Sequence, residues 1–194
     1  MRVETTVQGT DRVKDRLARF PVNLRIERLK QMERASIYLM NYIQRNKLSG
    51  QVLKRRSAFL ANHMNYDVRE QGKDVIGRAG NKTVYAAIHE TGGTIRPKNG
   101  MYLTIPLAAA MTPAGVVRKP ARQWENTFVR TSRGGGKVMY SRDGKQAIPI
   151  FALVKSVTIP KRPYFGPATR ETRSTIIGMI GQAVKTSVRI ANGK

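Results

Sequence analysis

The stretch V-Y-A-A-I-H-E-T-G-G-T-I-R-P-K-N-G-M-Y-L-T-I-P, from Val84 to Pro106, organises the chain. The apolar run that begins it fits either a strand or one turn of helix. Gly92 and Gly93 follow that run, and glycine takes backbone angles that cost other residues free energy. We therefore predict a turn at the two glycines, with the side chains of His89 and Glu90 hydrogen-bonded to it.

The His89-Glu90 pair also suggests a metal site or a general base. A catalytic zinc ion needs three protein ligands, usually supplied by an H-E-x-x-H helix or by cysteine pairs. Gly93 stands where the second histidine of that motif would be, the chain has no cysteine, and its other histidine is His63. The sequence therefore predicts no metal site, no cofactor and no catalytic residue.

Charge is the strongest signal in the composition. The chain has 194 residues, with 36 Lys and Arg against 12 Asp and Glu, and a formal net charge of +24. Such a charge repels itself unless an anion lies close, and nucleic acid is the usual partner, ahead of acidic proteins and anionic membranes. The apolar content of 40% is enough for a core, so we expect one domain over residues 1–194. No run reaches the roughly 18 apolar residues of a membrane span, and no apolar segment near Met1 indicates a secretory signal.

The spacing of apolar residues predicts the order of helices and strands. A short helix ends at Phe20, Pro21 begins the longest amphipathic helix, through Lys47, and residues 168–190 form a final helix. Strand-like patterns occur at residues 1–8, 62–70, 74–78, 94–96, 101–105, 126–132, 137–141 and 152–159. This order predicts an α+β domain: a mostly antiparallel sheet with the long N-terminal helix and the C-terminal helix packed on one face.

Residues 107–151 differ in composition from the rest of the chain. The glycines 134–136 lie between two strand-like segments, which indicates a hairpin with a flexible tip. Glu125 and Asp143 are the acidic residues of this segment. Its basic residues are Arg118, Lys119, Arg122, Arg130, Arg133, Lys137, Arg142 and Lys145. So many basic residues do not fit a buried core, so we predict an extended basic β-hairpin arm at residues 107–151 that faces DNA or a partner protein.

Two motif blocks carry a resemblance to a known family. The first is Y-A-A-I-H-E-T-G-G-T-I-R-P-K at Tyr85–Lys98, followed by a short strand that ends at Ile105-Pro106. The second is L-V-K-S-V-T-I-P-K-R-P-Y-F-G-P-A at Leu153–Ala168. In this order, before a C-terminal helix, they resemble the neck proteins of long-tailed bacteriophages, called tail-completion, minor tail or virion-morphogenesis proteins. The stretch S-G-Q-V-L-K-R-R-S at Ser49–Ser57 is similar to the family's loop after the long helix. Thr91 departs from the pattern, because many relatives carry an aromatic residue there.

The resemblance implies a non-enzymatic virion component at the neck, made in the host cytoplasm. It implies a homo-oligomeric ring around the DNA channel, with six copies as the favoured number. The expected neighbours are head-connector and tail-terminator or tail-tube proteins and packaged double-stranded DNA, and no membrane is involved. Under this interpretation the two blocks meet on one sheet. The residues that shape the fold are then Tyr85, His89, Glu90, Gly92, Gly93, Pro97, Pro106, Pro160, Pro163 and Pro167.

Two other functions stay open at this point. A free nucleic-acid-binding protein that contacts phosphates without reading sequence would explain the charge, although the motif blocks have no role in it. A nuclease would need clustered carboxylates, and the nearest set, Asp67, Glu70 and Asp74, falls on a predicted hairpin. The basic residues fit DNA phosphates and acidic faces of neighbouring ring proteins equally well.

Overall fold

The structure, a computed structural model, describes residues 10–192, so the strand predicted at residues 1–8 lies outside the described range. In chain order the elements are α1 (Thr10–Asn46), α2 (Phe59–Asn62), β1 (Met64–Gln71), β2 (Asp74–Asn81), α3 (Ala86–Thr91), β3 (Gly93–Ile95), β4 (Leu103–Pro106), β5 (Thr127–Thr131), β6 (Lys137–Asp143), β7 (Gln146–Val154), β8 (Val157–Ile159) and α4 (Phe165–Ala191). Short 3-10 helices span Ala108–Ala110 and Ala121–Gln123. The predicted α+β class, with a long N-terminal helix, a C-terminal helix and antiparallel strand pairing, is confirmed.

The chain divides into two compact units. The first comprises Met1–Lys47, His63–Lys82 and Phe165–Lys194, and the second comprises Leu48–Asn62 and Thr83–Tyr164. The strands form three antiparallel sheets: β1-β2 in the first unit, and β3-β8 and β4-β7-β6-β5 in the second. The expectation of a single domain over residues 1–194 stays a prediction.

The first unit is an antiparallel helix pair with a hairpin on α1. Glu171, near the start of α4, accepts hydrogen bonds from Tyr42 Oη and Lys47 Nζ, each at 2.7 Å, at the far end of α1. The buried face of α4 contains the small residues Ala168, Thr172, Ala183 and Ser187. The buried hydroxyls of Thr172 and Ser187 donate to carbonyls one turn earlier, so α4 packs closely without an unpaired hydroxyl at either position.

One continuous helix replaces the two that the sequence predicted around Pro21. Proline lacks an amide hydrogen, so the carbonyl of Leu17 loses its helical partner. Both Leu17 and Pro21 are exposed, so this turn of the helix faces solvent. One missing bond on an exposed turn does not end the helix, because Pro21 lies inside α1. The predicted boundary at Phe20 is wrong.

The predicted strand at residues 152–159 is also wrong, because the structure contains two strands there. β7 ends at Val154 and pairs with β4 and β6, whereas β8 begins at Val157 and pairs with β3. The polar pair Lys155-Ser156 marks the break. The surrounding apolar residues continue in the same pattern on both sides, so the pattern does not reveal the change of sheet.

The structure does not show the extended basic arm predicted at residues 107–151. β5 and β6 do form a hairpin, closed at the predicted glycine tip, but β6 pairs with β7 along all of its residues. Ala110 and Ile150 are fully buried, and Trp124 and Met139 pack against them. The prediction gave weight to the basic residues and the glycines and overlooked the apolar residues between them, which form a core of their own.

Gly77 sets how closely β2 approaches α1. A Cβ atom added at this residue would lie 2.7 Å from Met32 Sδ, 2.8 Å from Met32 Cγ and closer still to Ser36 Oγ. The Ser36 hydroxyl is held in place, because it donates to the carbonyl of Met32 at 2.8 Å. Glycine is therefore required here by close approach rather than by its backbone angles.

We expect Gly77→Ala to lower the free energy of unfolding by about 1–3 kcal/mol, because the Met32 and Ser36 side chains must move. Urea denaturation followed by circular dichroism measures the change. Gly80→Ala in the same strand is the matched control, because its added Cβ would meet Asn65 Oδ1 at an ordinary 3.6 Å. Equal losses in the two variants would contradict the close-approach argument.

Candidate functional site

The two motif blocks meet as paired strands in the second unit. β3 from the first block pairs with β8 from the second, in the register Gly93 to Ile159 and Ile95 to Val157. Between these pairs, the hydroxyls of Thr94 and Thr158 are 3.1 Å apart and hydrogen-bonded. The prediction that the blocks meet on one sheet is confirmed.

Gly92 is the point of closest approach between the blocks. It ends α3, which shows that the ambiguous apolar run forms a helical turn, and its amide donates to the carbonyl of Ile88 at 2.8 Å. Its φ is +72°, and an added Cβ would lie 2.9 Å from the Lys161 amide nitrogen. Gly93 has φ +151°, but an added Cβ there would meet Ile88 at an ordinary 3.6 Å. The predicted turn is confirmed, and Gly92 is the residue with no room for a side chain.

Glu90 and His89 hold the second block through residues 162–164. The Glu90 carboxylate accepts a hydrogen bond from the Tyr164 amide at 2.7 Å, and the His89 carbonyl accepts one from the Arg162 amide at 2.8 Å. Tyr164 is 1% exposed, and burial, together with the Glu90 charge, raises its pKa to about 12. These bonds go to the second block, and among residues 10–192 the His89 ring makes no hydrogen bond to the glycine turn. The prediction that the His89 side chain is hydrogen-bonded to the turn is wrong.

The prolines named in the sequence stand at the ends of elements. Pro106 is the last residue of β4, and Pro160 comes directly after β8. One residue separates Pro97 from the end of β3. Pro163 precedes the buried Tyr164, and Pro167 lies in the first turn of α4, where a missing amide hydrogen costs little. Their positions fit a role in fixing the paths of the two blocks.

A basic pocket of about 320 Å³ lies beside the first block. Its walls come from the loop after Leu48, from α2, from α3 with Tyr85, and from the second block. The lining residues are Leu48, Leu53, Lys54, Arg55, Arg56, Ser57, Ala58, Phe59, Leu60, Ala61, Tyr85, His89 and Arg162. Four of these are Lys or Arg and none is Asp or Glu, so the pocket concentrates positive charge next to aromatic rings.

His89 is a neutral group in this pocket wall. Burial, and then the charge of Arg162, lower the pKa of its imidazole below the ordinary value. Its ring packs edge-on against Tyr85, with centroids 6.1 Å apart, and its Nδ1 is buried with no hydrogen-bond partner among residues 10–192. The site therefore offers cations, a neutral imidazole and exposed rings, which together suit an anionic ligand.

The eight basic residues predicted as an arm lie elsewhere, on the surface of the second unit. All eight are exposed. Lys119 lies 4.7 Å from the Trp124 ring centroid, Lys137 lies 5.0 Å from that of Tyr102, and Arg118 Nε donates to the carbonyl of Met111. Arg130 and Arg142 both lie over the Phe128 ring. Arg122 is in the Ala121–Gln123 helix, Arg133 is at the tip of the β5-β6 hairpin, and Lys145 is in the turn before β7. Their contact with DNA or a partner stays a prediction.

The comparisons with protein-family models, with curated proteins and with solved structures find no match for this chain. Within residues 10–192 no helix has the length and apolar character needed to cross a membrane. In the same range no three His, Cys, Asp or Glu side chains come together as a metal site.

Sequence reasoning missed the pocket, because only the basic run Lys54-Arg55-Arg56 signals it, and a charged run alone does not tell which residues it faces.

We expect Gly92→Ala to lower the free energy of unfolding by about 2 kcal/mol or more, because it combines strain at positive φ with a clash against the main chain of Lys161. Gly93→Ala carries the strain without the clash, and we expect a loss of about 1 kcal/mol. Gly134→Ala is the control: its φ is ordinary and nothing lies within 4 Å of the added Cβ. Chemical denaturation ranks the three variants, and a loss at Gly134 as large as at Gly92 would refute the ranking.

We expect the stability of the wild type relative to His89→Gln to fall as the pH drops from 7 to 5. The folded state lowers the pKa of His89, so below its ordinary value of about 6.5 the unfolded state binds the proton more readily and the folded state loses stability. Glutamine removes that proton linkage. Urea denaturation at pH 7, 6 and 5 measures the difference, and parallel pH profiles for the two proteins would contradict a neutral His89.

Proposed function

We propose that the chain is a structural virion protein of the phage neck, which completes the tail and helps to join it to the DNA-filled head. The observation that carries the proposal is the joining of the two motif blocks. The residues that carry the family resemblance, from Tyr85 to Lys98 and from Leu153 to Ala168, contact one another through β3 and β8, Gly92 and Glu90. The two blocks therefore meet within the second unit, although the residues of the second block from Phe165 onward belong to the first unit.

Exposed apolar side chains in the first unit support a homo-oligomer. Leu17 in α1 is 67% exposed, and Ile177, Val184 and Val188 in α4 are between 44% and 59% exposed. In α4 the last two are four residues apart and follow Ile177 at helical spacing, so they form one stripe. Contiguous apolar surface of this kind marks protein–protein contacts, and a ring would cover it repeatedly.

Charge and strand edges support the remaining parts of the proposal. A net charge of +24 per chain, repeated around a ring, favours contacts with the phosphates of packaged DNA in any sequence. β5 is an edge strand of its sheet, with Val129 52% exposed, and an edge strand accepts a strand from a neighbouring protein through main-chain hydrogen bonds. The neighbours in this proposal are the head-connector and tail-terminator or tail-tube proteins.

Electron microscopy of particles that contain a labelled copy of the chain tests the location. We expect density at the head–tail joint, in a ring of six copies, and particles that lack the chain should separate into heads and tails. Density at the distal tail tip would refute the role.

Val184→Glu tests the oligomer in solution. We expect this variant to sediment as a monomer under conditions in which the wild type assembles, because a charge in the α4 stripe would be buried at the contact. Gln182→Glu, at an exposed position of the same helix away from the stripe, introduces the same charge and should leave assembly intact. Circular dichroism confirms that both variants fold, and equal assembly of the two would exclude this stripe as the interface.

A free nucleic-acid-binding protein is the second candidate, and the cations around the pocket favour it. Salt-titrated binding to double-stranded DNA separates the two functions. Tight binding by the monomer, with an affinity that falls steeply with salt, supports the second candidate. Weak binding by the monomer, with rings forming on tail tubes, supports the neck protein.

A further inference from the structure

The basic pocket between the loop at residues 53–58 and the two motif blocks has the features of a ligand site. We propose that it binds one nucleotide unit, with the phosphate among Lys54, Arg55 and Arg162 and the base against Phe59 and Tyr85. This inference does not depend on the neck role, because it rests on the geometry of the second unit.

The positive charge of the pocket is uncompensated within the described chain. Lys54, Arg55, Arg56 and Arg162 line it, no carboxylate does, and none of the four cations takes part in an ion pair among residues 10–192. One carboxylate carries a single charge on two oxygens. A phosphate group carries up to two charges on three oxygens and matches the planar fork of arginine, so it can engage several of these cations together.

The main chain of Arg162 is anchored at the pocket. The Arg162 amide donates to the His89 carbonyl at 2.8 Å, which fixes this residue beside the pocket. Ala58, which also lines the pocket, has φ +56°, a backbone angle that is unfavourable for residues other than glycine. Strained backbone of this kind persists where the surroundings enforce it, and it is concentrated at binding sites.

Two aromatic rings form part of the pocket wall. Phe59 is 44% exposed and Tyr85 is 39% exposed, and their ring centroids are 6.2 Å apart with planes tilted by 37°. Exposed rings next to cations are the combination that binds single-stranded nucleic acids, because a base stacks on the ring while the cations hold its phosphate. A stacked base also accounts for two large side chains left open to solvent.

The volume and the imidazole limit the size and polarity of the ligand. A volume of about 320 Å³ is at the lower end of the roughly 300–1,000 Å³ of small-molecule pockets, which suits one nucleotide rather than a dinucleotide. His89 adds a neutral ring whose buried Nδ1 has no hydrogen-bond partner among residues 10–192. Because that nitrogen is closed to solvent, a ligand in the pocket does not reach it, and the imidazole adds lining without adding positive charge.

Binding of adenosine 5′-monophosphate to the full chain tests the proposal. We expect saturable binding by calorimetry, with shifts of the His89 and Tyr85 ring resonances in NMR spectra. Adenosine and inorganic phosphate should each bind at least about tenfold more weakly, since each lacks one half of the contacts. Equal binding of phosphate and the nucleotide would overturn the role of the rings.

Variants separate the two halves of the site. Arg162→Gln should weaken the nucleotide and inorganic phosphate alike, by about tenfold, because a charge-assisted hydrogen bond is lost. Phe59→Leu keeps the apolar volume and should weaken the nucleotide while leaving phosphate unchanged. Lys98→Gln removes an exposed charge of the same unit outside the pocket and is the control. A loss in Lys98→Gln as large as in Arg162→Gln would show general charge attraction and overturn the site.

Two further probes identify the source of the nucleotide and the competing partner. The first probe is a single-stranded tetrathymidylate with a 5′-phosphate. If it competes with the mononucleotide, the natural ligand is the end of a nucleic-acid strand, and if it does not compete, the natural ligand is a free nucleotide. Both results support the site. If the acidic peptide acetyl-Asp-Phe-Asp-amide shifts the His89 and Tyr85 resonances and the mononucleotide does not, the pocket is a protein-docking site and the proposal is wrong. Neither result depends on where the chain lies in a virion.

Discussion

The close approach of Gly92 to the main chain of Lys161 is the constraint on which the second unit depends. With 2.9 Å between a hypothetical Cβ and the Lys161 nitrogen, only glycine lets α3 end against the second block. The next contacts follow along the chain, because the Arg162 amide reaches the His89 carbonyl and the Tyr164 amide reaches the Glu90 carboxylate. β3 can then pair with β8 in register. One missing side chain therefore permits two hydrogen bonds and a strand pair.

The basic pocket is a consequence of the same contacts. Arg162 reaches the pocket because its amide is bonded to the His89 carbonyl. Tyr85, just before α3, and His89, one turn later, line the same pocket. The concentrated charge has a cost, since like charges repel and the nearby imidazole is kept neutral. No carboxylate lines the pocket to offset this repulsion, so an anion that binds there from solution would stabilise the folded state.

Local signals predicted the parts of the fold that local physics controls. The turn at Gly92, the hairpin of the segments 62–70 and 74–78 and the helix predicted at residues 168–190 depend on backbone freedom or on residue spacing within a few turns. The structure contains all three, with the helix beginning three residues earlier, at Phe165. The prediction at Pro21 was wrong because proline removes one helical hydrogen bond, and the other hydrogen bonds of a long helix are enough to maintain it. The pocket could not be predicted, because Lys54 and Arg162 are far apart in sequence and meet only through the Gly92 approach.

The distribution of acidic residues explains why the charge of the pocket stays open. In the first unit the carboxylates of Glu70 and Glu171 pair with Arg25 and Lys47, and these bonds lower the pKa of both acids. In the second unit the Glu90 carboxylate is bound to the Tyr164 amide, a main-chain donor, and it does not line the pocket. With 12 acids against 36 bases, the chain places these acids where they fix its own fold. The remaining cations are open to anions of another molecule, and the phosphate of nucleic acid would meet that requirement in both proposals.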